Sequence, residues 1–423
     1  MRSCALLLVL LVGSLIQAED GAEKQATQQN EPRSLAADDR AGIYADKIVV
    51  GQSAALSGVA KELGISMRRG LLAAFDEVNG KGGVFNRKIE LITLDDGYEP
   101  EQTIKNMHEL ISKHKVFTLV GGVGTPTSKA ALPIISKTPL LYVGPFTGAS
   151  FLRSSYLNTV VNVRASYAQE TLAMVERLRK DLKISRVAVL YQNDSYGLDG
   201  LRGVQKAVEV VKGIKLVSTG SYQRNTTAVK TALLDIRRGN PQAVIAIGSY
   251  LPIAAFIKWA RKMRMYSTVF LAVSFVGVNP LAAELRYNRS HVFVTQVVPP
   301  PTDKKVKLVE TYLAALKSLD AKAKPGFGSM EGYVVGRLVI EALQRAGAEV
   351  NFKTFLAEFK KADTVFDIDG FRLAYGEHDN QGSDNVFITR IYRGKIRPLK
   401  KLTLVRARKK QATNPKTEQK KGK

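Results

Sequence analysis

Short runs that are apolar along their whole length alternate with amphipathic helical stretches, and the alternation happens twice. In the first series Lys47–Ala54, Lys88–Asp95, 117–121 and 140–143 read as strands, with helices over 65–79, 100–113 and 126–136. Leu72, Phe75 and Val78 share one helical face. The pattern restarts with the helix Tyr167–Leu182, where Leu172, Val175, Leu178 and Leu182 step by helical spacing. Strands over 186–191, 215–220, 243–248 and 269–273 follow. Between them lie helices carrying Leu201, Val204, Val208 and Val211, and helices over 226–238 and 252–263. A strand with no polar face cannot meet water on either side, so it belongs in a parallel sheet covered by helices on both faces. A single core rarely grows to serve 423 residues, so two series mean two lobes.

The remaining residues do not begin a third series. Helices over 304–319, 328–346 and 352–361 lead to hairpin-like strands at 371–374 and 385–393. The economical path returns the chain to the first lobe near Thr295 and crosses again near Phe371. That gives a first lobe of 47–162 and 297–372, and a second of 163–296 and 373–399. Three crossings side by side would make a hinge.

Before this fold, Arg2 precedes the apolar run 5–16, and Ile16-Gln17-Ala18 has the small-residue pattern of a cleavage site. Residues 1–18 therefore read as a secretory signal and 19–46, polar throughout, as a flexible leader. The run is short for a bilayer span, and no later stretch reaches about 18 consecutive apolar residues. Cys4 is the one cysteine and lies ahead of the apolar run, so the processed chain would hold neither disulfide nor cysteine metal site. The expected location is the periplasm. Of the net charge of +25, much sits in 400–423, where ten Lys and Arg face Glu418 alone. This tail reads as solvated and disordered, with attraction to an anionic membrane surface as the sharper reading. No aromatic-interleaved basic motif points to nucleic acid.

Ligands of open parallel sheets sit beyond the carboxyl ends of the strands. There the chain places Ala55-Leu56-Ser57-Gly58, Gly122-Val123-Gly124-Thr125-Pro126-Thr127, Gly144-Pro145-Phe146-Thr147, Asn193-Asp194-Ser195-Tyr196-Gly197, Ser249-Tyr250 and Ser274-Phe275-Val276-Gly277. Each loop alone is ordinary turn chemistry. Their order and spacing together, over about 47–399, resemble type I periplasmic binding proteins of the leucine/isoleucine/valine-binding family. The resemblance implies an α/β fold of two Rossmann-like lobes with parallel sheets joined by a three-strand hinge. It further implies a ligand in the interlobe cleft and an inner-membrane ABC permease, or another transport component, as partner.

Position by position, the resemblance assigns Thr125 and Thr147 to the ligand carboxylate, and Tyr196 and Tyr250 to the second-lobe tyrosines that fold over the ligand. Leu63 stands where these relatives often carry an aromatic residue, and Phe146 adds apolar surface. Phe275 stands where they place an acidic residue for the ligand ammonium. An ammonium buried without an anion would cost several kcal/mol, of order a hundredfold or more in affinity. The sequence therefore predicts a neutral or apolar cargo: a lipid-like sterol or hopanoid, an aromatic acid or an amide. A carboxylate such as Glu62, Asp96 or Asp194 reaching inward would restore the alternative, a branched-chain amino-acid-binding subunit. A lipid-shuttling protein without a permease is the other rival.

Enzyme signatures are missing. There is no phosphate loop, zinc-binding H-E-x-x-H or nucleophile elbow, and His108, His114, His291 and His378 are scattered. Asp95-Asp96 reads as a cap of the helix after Pro100 or as part of the cleft rim. Gly121-Gly122-Val123-Gly124 lacks dinucleotide spacing, and no cofactor is expected.

Overall fold

The computed structural model describes residues 39–286, 288 and 291–404. The signal segment and most of the leader and basic tail lie outside them. Among the described residues the first sheet holds five parallel strands in the order β2-β1-β3-β4-β5: β1 Lys47–Ala54, β2 Lys88–Asp95, β3 Thr118–Val120, β4 Tyr142–Val143 and β5 Val160–Val161. The chain leaves β1 in one direction and returns past it to β3. With the right-handed crossovers that parallel strands follow, this reversal assigns the first two helices, α1 Lys61–Asn79 and α2 Pro100–His108, to opposite faces. A π-helical turn, Glu109–Lys113, ends the segment expected as one helix over 100–113. Helix α3, Thr125–Ile135, follows β3.

The second sheet runs β14-β13-β10-β9-β8-β6-β7. Its parallel part is β6 Arg186–Gln192, β7 Lys215–Tyr222, β8 Ala243–Ile247, β9 Val269–Ala272 and β10 Val292–Gln296. The helices between them are α4 Tyr167–Leu182, α5 Ser195–Val210, α6 Lys230–Arg238, α7 Tyr250–Lys262 and α8 Val278–Glu284. β8 and β9 are buried at every position, as strands apolar on both faces must be. The α4 start carries a full capping box, in which Ser166 and Gln169 satisfy each other's backbone N–H.

The last third departs from the sequence expectation in its pairing. Helices α9 Lys307–Leu319, α10 Phe327–Ala346 and α11 Phe352–Lys360 are followed by a separate hairpin of β11 Thr364–Ile368 and β12 Phe371–Tyr375. The strand expected at 371–374 thus pairs with its predecessor rather than with the later one. The later one, β13 Phe387–Tyr392, lies antiparallel to β10 and extends the second sheet to β14 Lys395–Leu399. The chain moves between the sheets over 376–386. There Asn380 accepts from the Asn162 N–H at 2.7 Å, and the Gly382 N–H donates to the Asn162 carbonyl at 2.8 Å. At the other end of the chain, Arg40 to Asp46 is tied to β1, with the Val49 N–H donating to Gly42 at 2.8 Å.

Helices α1 and α10 approach at backbone distance. A Cβ on Gly70 would fall 2.0 Å from the Ser329 carbonyl oxygen, and one on Gly332 would fall 2.2 Å from that of Met67. Neither carbonyl can swing aside without breaking its helix, so these sites accept no side chain. Gly332→Ala is expected to destabilise the protein by about 3 kcal/mol in urea unfolding, as overpacking does. Gly376→Ala, with open space around it, is expected to stay within about 0.5 kcal/mol; equal losses would contradict the packing account.

Candidate functional site

Each sheet reverses its strand order once, β1 beside β3 in the first and β6 beside β8 in the second. The loops after these strands open at the reversal, where side chains are free to converge. The seven residues singled out from the sequence come together there, but in two layers.

The outer layer walls a cavity of about 740 Å³, within the usual range for ligand pockets. Leu63, Phe146 and Tyr250 line it, with Val278 and Pro280 from the second lobe, Phe327 from the first, and Gln296 to Val298 at the end of β10 and just beyond it. Gly277, with φ of 75°, brings the second lobe against the first: a Cβ there would lie 2.5 Å from Leu63 Cδ2. Only glycine combines that backbone with that approach.

The inner layer is packed rather than open. Phe275 is fully buried, with its ring centroid 4.8 Å from Tyr196, 5.6 Å from Phe146 and 6.0 Å from Tyr98. Tyr196 in turn lies 5.2 Å from Tyr167. Thr125 and Thr147 are fully buried too, their hydroxyls 2.6 Å apart, and Thr147 donates to the Tyr167 hydroxyl at 3.2 Å. Those hydroxyls satisfy each other in a buried site, and neither threonine is among the cavity-lining residues.

The cavity is not free of charge, contrary to the expectation from Phe275. Arg164 leaves β5 toward the second lobe, and Glu331 sits on α10; both line the cavity and are almost wholly buried. Arg164 Nε lies 3.3 Å from Glu331 Oε1, out of line for a hydrogen bond. Arg164 Nη2 donates to the Ser274 hydroxyl, and the guanidinium stacks 4.7 Å over the Phe146 ring. Its Nε and Nη1 have no hydrogen-bond partner. A buried charged donor left so costs about 1–3 kcal/mol or more, which a bound acceptor would recover.

Glu170 on α4 holds the other side. It accepts from the Ser274 N–H at 2.7 Å and hydroxyl at 2.9 Å, and from the Thr295 hydroxyl. Burial raises the Glu331 carboxyl to about 7, against the pull of Arg164. For Arg164 burial opposes the charge, but Glu331 and Glu170 outweigh it and raise the guanidinium further.

Of the three carboxylates named from the sequence, Glu62 lines the cavity. Asp194 instead caps α5, accepting from the Tyr196 N–H at 3.0 Å. Asp96 accepts from the Ser53 hydroxyl at 2.7 Å and the Tyr98 N–H at 2.9 Å. Asp95 takes N–H groups of Leu56, Ser57 and Gly97, so this pair orders loops rather than capping the following helix. Arg164 and Glu331 escaped the sequence reading. The signal for Glu331 was available: an acid between Phe327, Met330 and Val334 on the buried side of a helix. Among the described residues no cluster of potential metal ligands occurs, and no helix is long and apolar enough to cross a membrane.

Because the Glu331 carboxyl titrates higher in the folded protein than in the unfolded chain, the folded state holds the extra proton between about pH 4.5 and 7. Stability contributed by this proton is present below that window and is lost as pH rises through it. Relative to Glu331→Gln, wild-type protein is expected to lose up to about 3 kcal/mol across the window, read by urea unfolding at stepped pH. Parallel profiles would refute the assignment.

A family model described as periplasmic binding protein matches residues 47–395. The "Leu/Ile/Val-binding protein homolog 7" of Brucella melitensis biotype 1 is 23% identical over 359 residues, 80% of this chain and 86% of that protein. The "Leu/Ile/Val-binding protein BraC3" of Rhizobium johnstonii is 27% identical over 199 residues, 45% of this chain and 53% of that one. A crystal structure of a "possible leucine/isoleucine/valine-binding protein" from Rhodopirellula baltica SH 1 is 39% identical. It superposes with a TM-score of 0.77, over 86% of this chain and 98% of that one. The chain belongs to the periplasmic binding protein family and is a solute-binding protein of the kind that serves ABC transporters.

Proposed function

We propose that this protein captures an α-amino acid with an aliphatic side chain and presents it to an ABC permease. The carrying observation is the cavity between the lobes, where an apolar wall of Leu63, Phe146, Val278 and Val297 meets the buried Arg164 and Glu331. A solute with one charge of each sign and an apolar body fits such a wall without leaving any buried charge unpaired. The printed names of the relatives, leucine/isoleucine/valine-binding, point the same way. A neutral sterol or hopanoid would cover the Arg164–Glu331 pair without completing its hydrogen bonds, so the amino-acid reading is preferred to the lipid one. Leu63, Phe146 and Tyr250 are proposed as direct contacts. Thr125, Thr147, Tyr196 and Phe275 are proposed as the packed layer supporting them.

Closure supplies the mechanism. Glu99 of the first lobe accepts from Arg224 at 2.8 Å and Asn225 at 2.6 Å of the second, and Ser150 donates to Asp199 at 2.5 Å. The Glu99 bridges, part exposed, are individually weak. A ligand touching both lobes adds affinity that exists only when they meet and so shifts the population toward closure.

Purified protein is expected to melt higher with leucine, isoleucine or valine. A ligand at a hundred times its Kd adds about 2.7 kcal/mol. Neutral sterols should leave the melting temperature unchanged. A shift with a sterol and none with any of the three amino acids would reverse the proposal.

A further inference from the structure

The structure assigns the charged end of the ligand to Arg164 and Glu331, rather than to the threonine hydroxyls and the Phe275 position that the family resemblance indicates. This assignment rests on the amino-acid reading above and specifies its chemistry. At the expected place, Thr125 and Thr147 are fully buried and bonded to each other, Thr147 also bonds the Tyr167 hydroxyl, and neither threonine lines the cavity. A carboxylate could reach these hydroxyls only by opening this buried set. Arg164 is as deeply buried, 1% exposed, but it lines the cavity, and its buried Nη1 has no hydrogen-bond partner.

The counter-charge decides the ligand class. Arg164 already has Glu331 at 3.3 Å in poor alignment. A carboxylate arriving alone at Nη1 would face Glu331 across the same guanidinium, a like-charge approach that disfavours it. A zwitterion brings its ammonium to Glu331 as its carboxylate meets Nη1, so each buried charge gains a partner. The free α-amino acid is therefore the recognised unit, and the same acid without its amine is rejected.

Glu331 turns this into a proton count. The charged groups acting on it are Arg164, Glu170 and Arg153, and burial leaves it titrating at about 7. At pH 7 it holds about half a proton. An incoming ammonium favours its ionised form, and an incoming lone carboxylate favours the protonated one.

The test is calorimetry of leucine and of 4-methylpentanoate, which is leucine without the amine, in buffers of different ionisation enthalpy. Wild-type protein is expected to prefer leucine at least tenfold and to release up to about half a proton per leucine at pH 7. Any 4-methylpentanoate bound should take protons up. Glu331→Gln should abolish both the proton release and most of the preference; Arg164→Lys should weaken leucine about 30-fold. Proton uptake with leucine, or a preference unchanged in Glu331→Gln, would overturn the assignment. A crystal of the leucine complex provides a reading independent of variant folding. A carboxylate within about 3 Å of Arg164 Nη1 supports the assignment, and one on Thr125 and Thr147 refutes it. Wild-type protein that binds none of the three aliphatic amino acids would reject the amino-acid reading itself, and this assignment with it.

Discussion

One guanidinium, held out of water where the chain first passes between the lobes, organises the centre of the molecule. Arg164 reaches Ser274 of the second lobe and Glu331 of the first, and lies over Phe146. Ser274 is also held by Glu170, which in turn takes the hydroxyl of Thr295 at the second passage. The third passage joins through Asn162, which precedes Arg164 by two residues and bonds to Asn380 and Gly382. Removing one member of such a cluster leaves another charge buried and uncompensated, at a cost of about 3–5 kcal/mol. The geometry of the hinge and the electrostatics of the cavity therefore share one set of atoms.

Much of the architecture was legible because burial on both faces leaves a plain signature. Strands such as Ala243–Ile247 have no polar position to mislead, and β1, β2 and α4 end where the sequence predicts. Edges carry less information. β11 and β14 alternate or include charged residues and Pro398, as edge strands do, so nothing in the sequence distinguishes them from turns. That ambiguity moved the partner of β12: the hairpin closes locally, through the turn at Asp369 and Gly370, both at positive φ.

The site was legible as a place, while the buried charges on its wall were not. All seven residues converge, six from the loops because topology alone brings strand ends together and Leu63 from the start of α1. What a position-by-position carry-over could not supply is which of them face open space. Thr125 and Thr147 are silenced by a hydroxyl from Tyr167, which begins α4 in the other lobe. Phe275 is fully buried against the rings of Tyr196, Phe146 and Tyr98. The two buried charges on the cavity wall come from outside the loop set, Arg164 from a passage and Glu331 from a helix 167 residues later in the chain.

That arrangement bears on how binding and closure are coupled. Arg164 belongs to a passage, Ser274 and Glu170 to the second lobe, and Glu331 to the first, so the full set is complete only while the lobes meet. In an open form water can solvate Glu331 and lower the penalty that raises its titration. The arrangement in this structure bears that desolvation without a full set of hydrogen bonds. A ligand that partners both charges removes the penalty only in the closed form. Differential affinity of this kind shifts a conformational equilibrium, whereas apolar contacts made equally by either lobe in both forms would not. Under the proposed function, placing the charged pair beside the hinge makes closure conditional on the ligand's head group, and the apolar wall of Leu63, Phe146 and Val297 is what would discriminate among side chains.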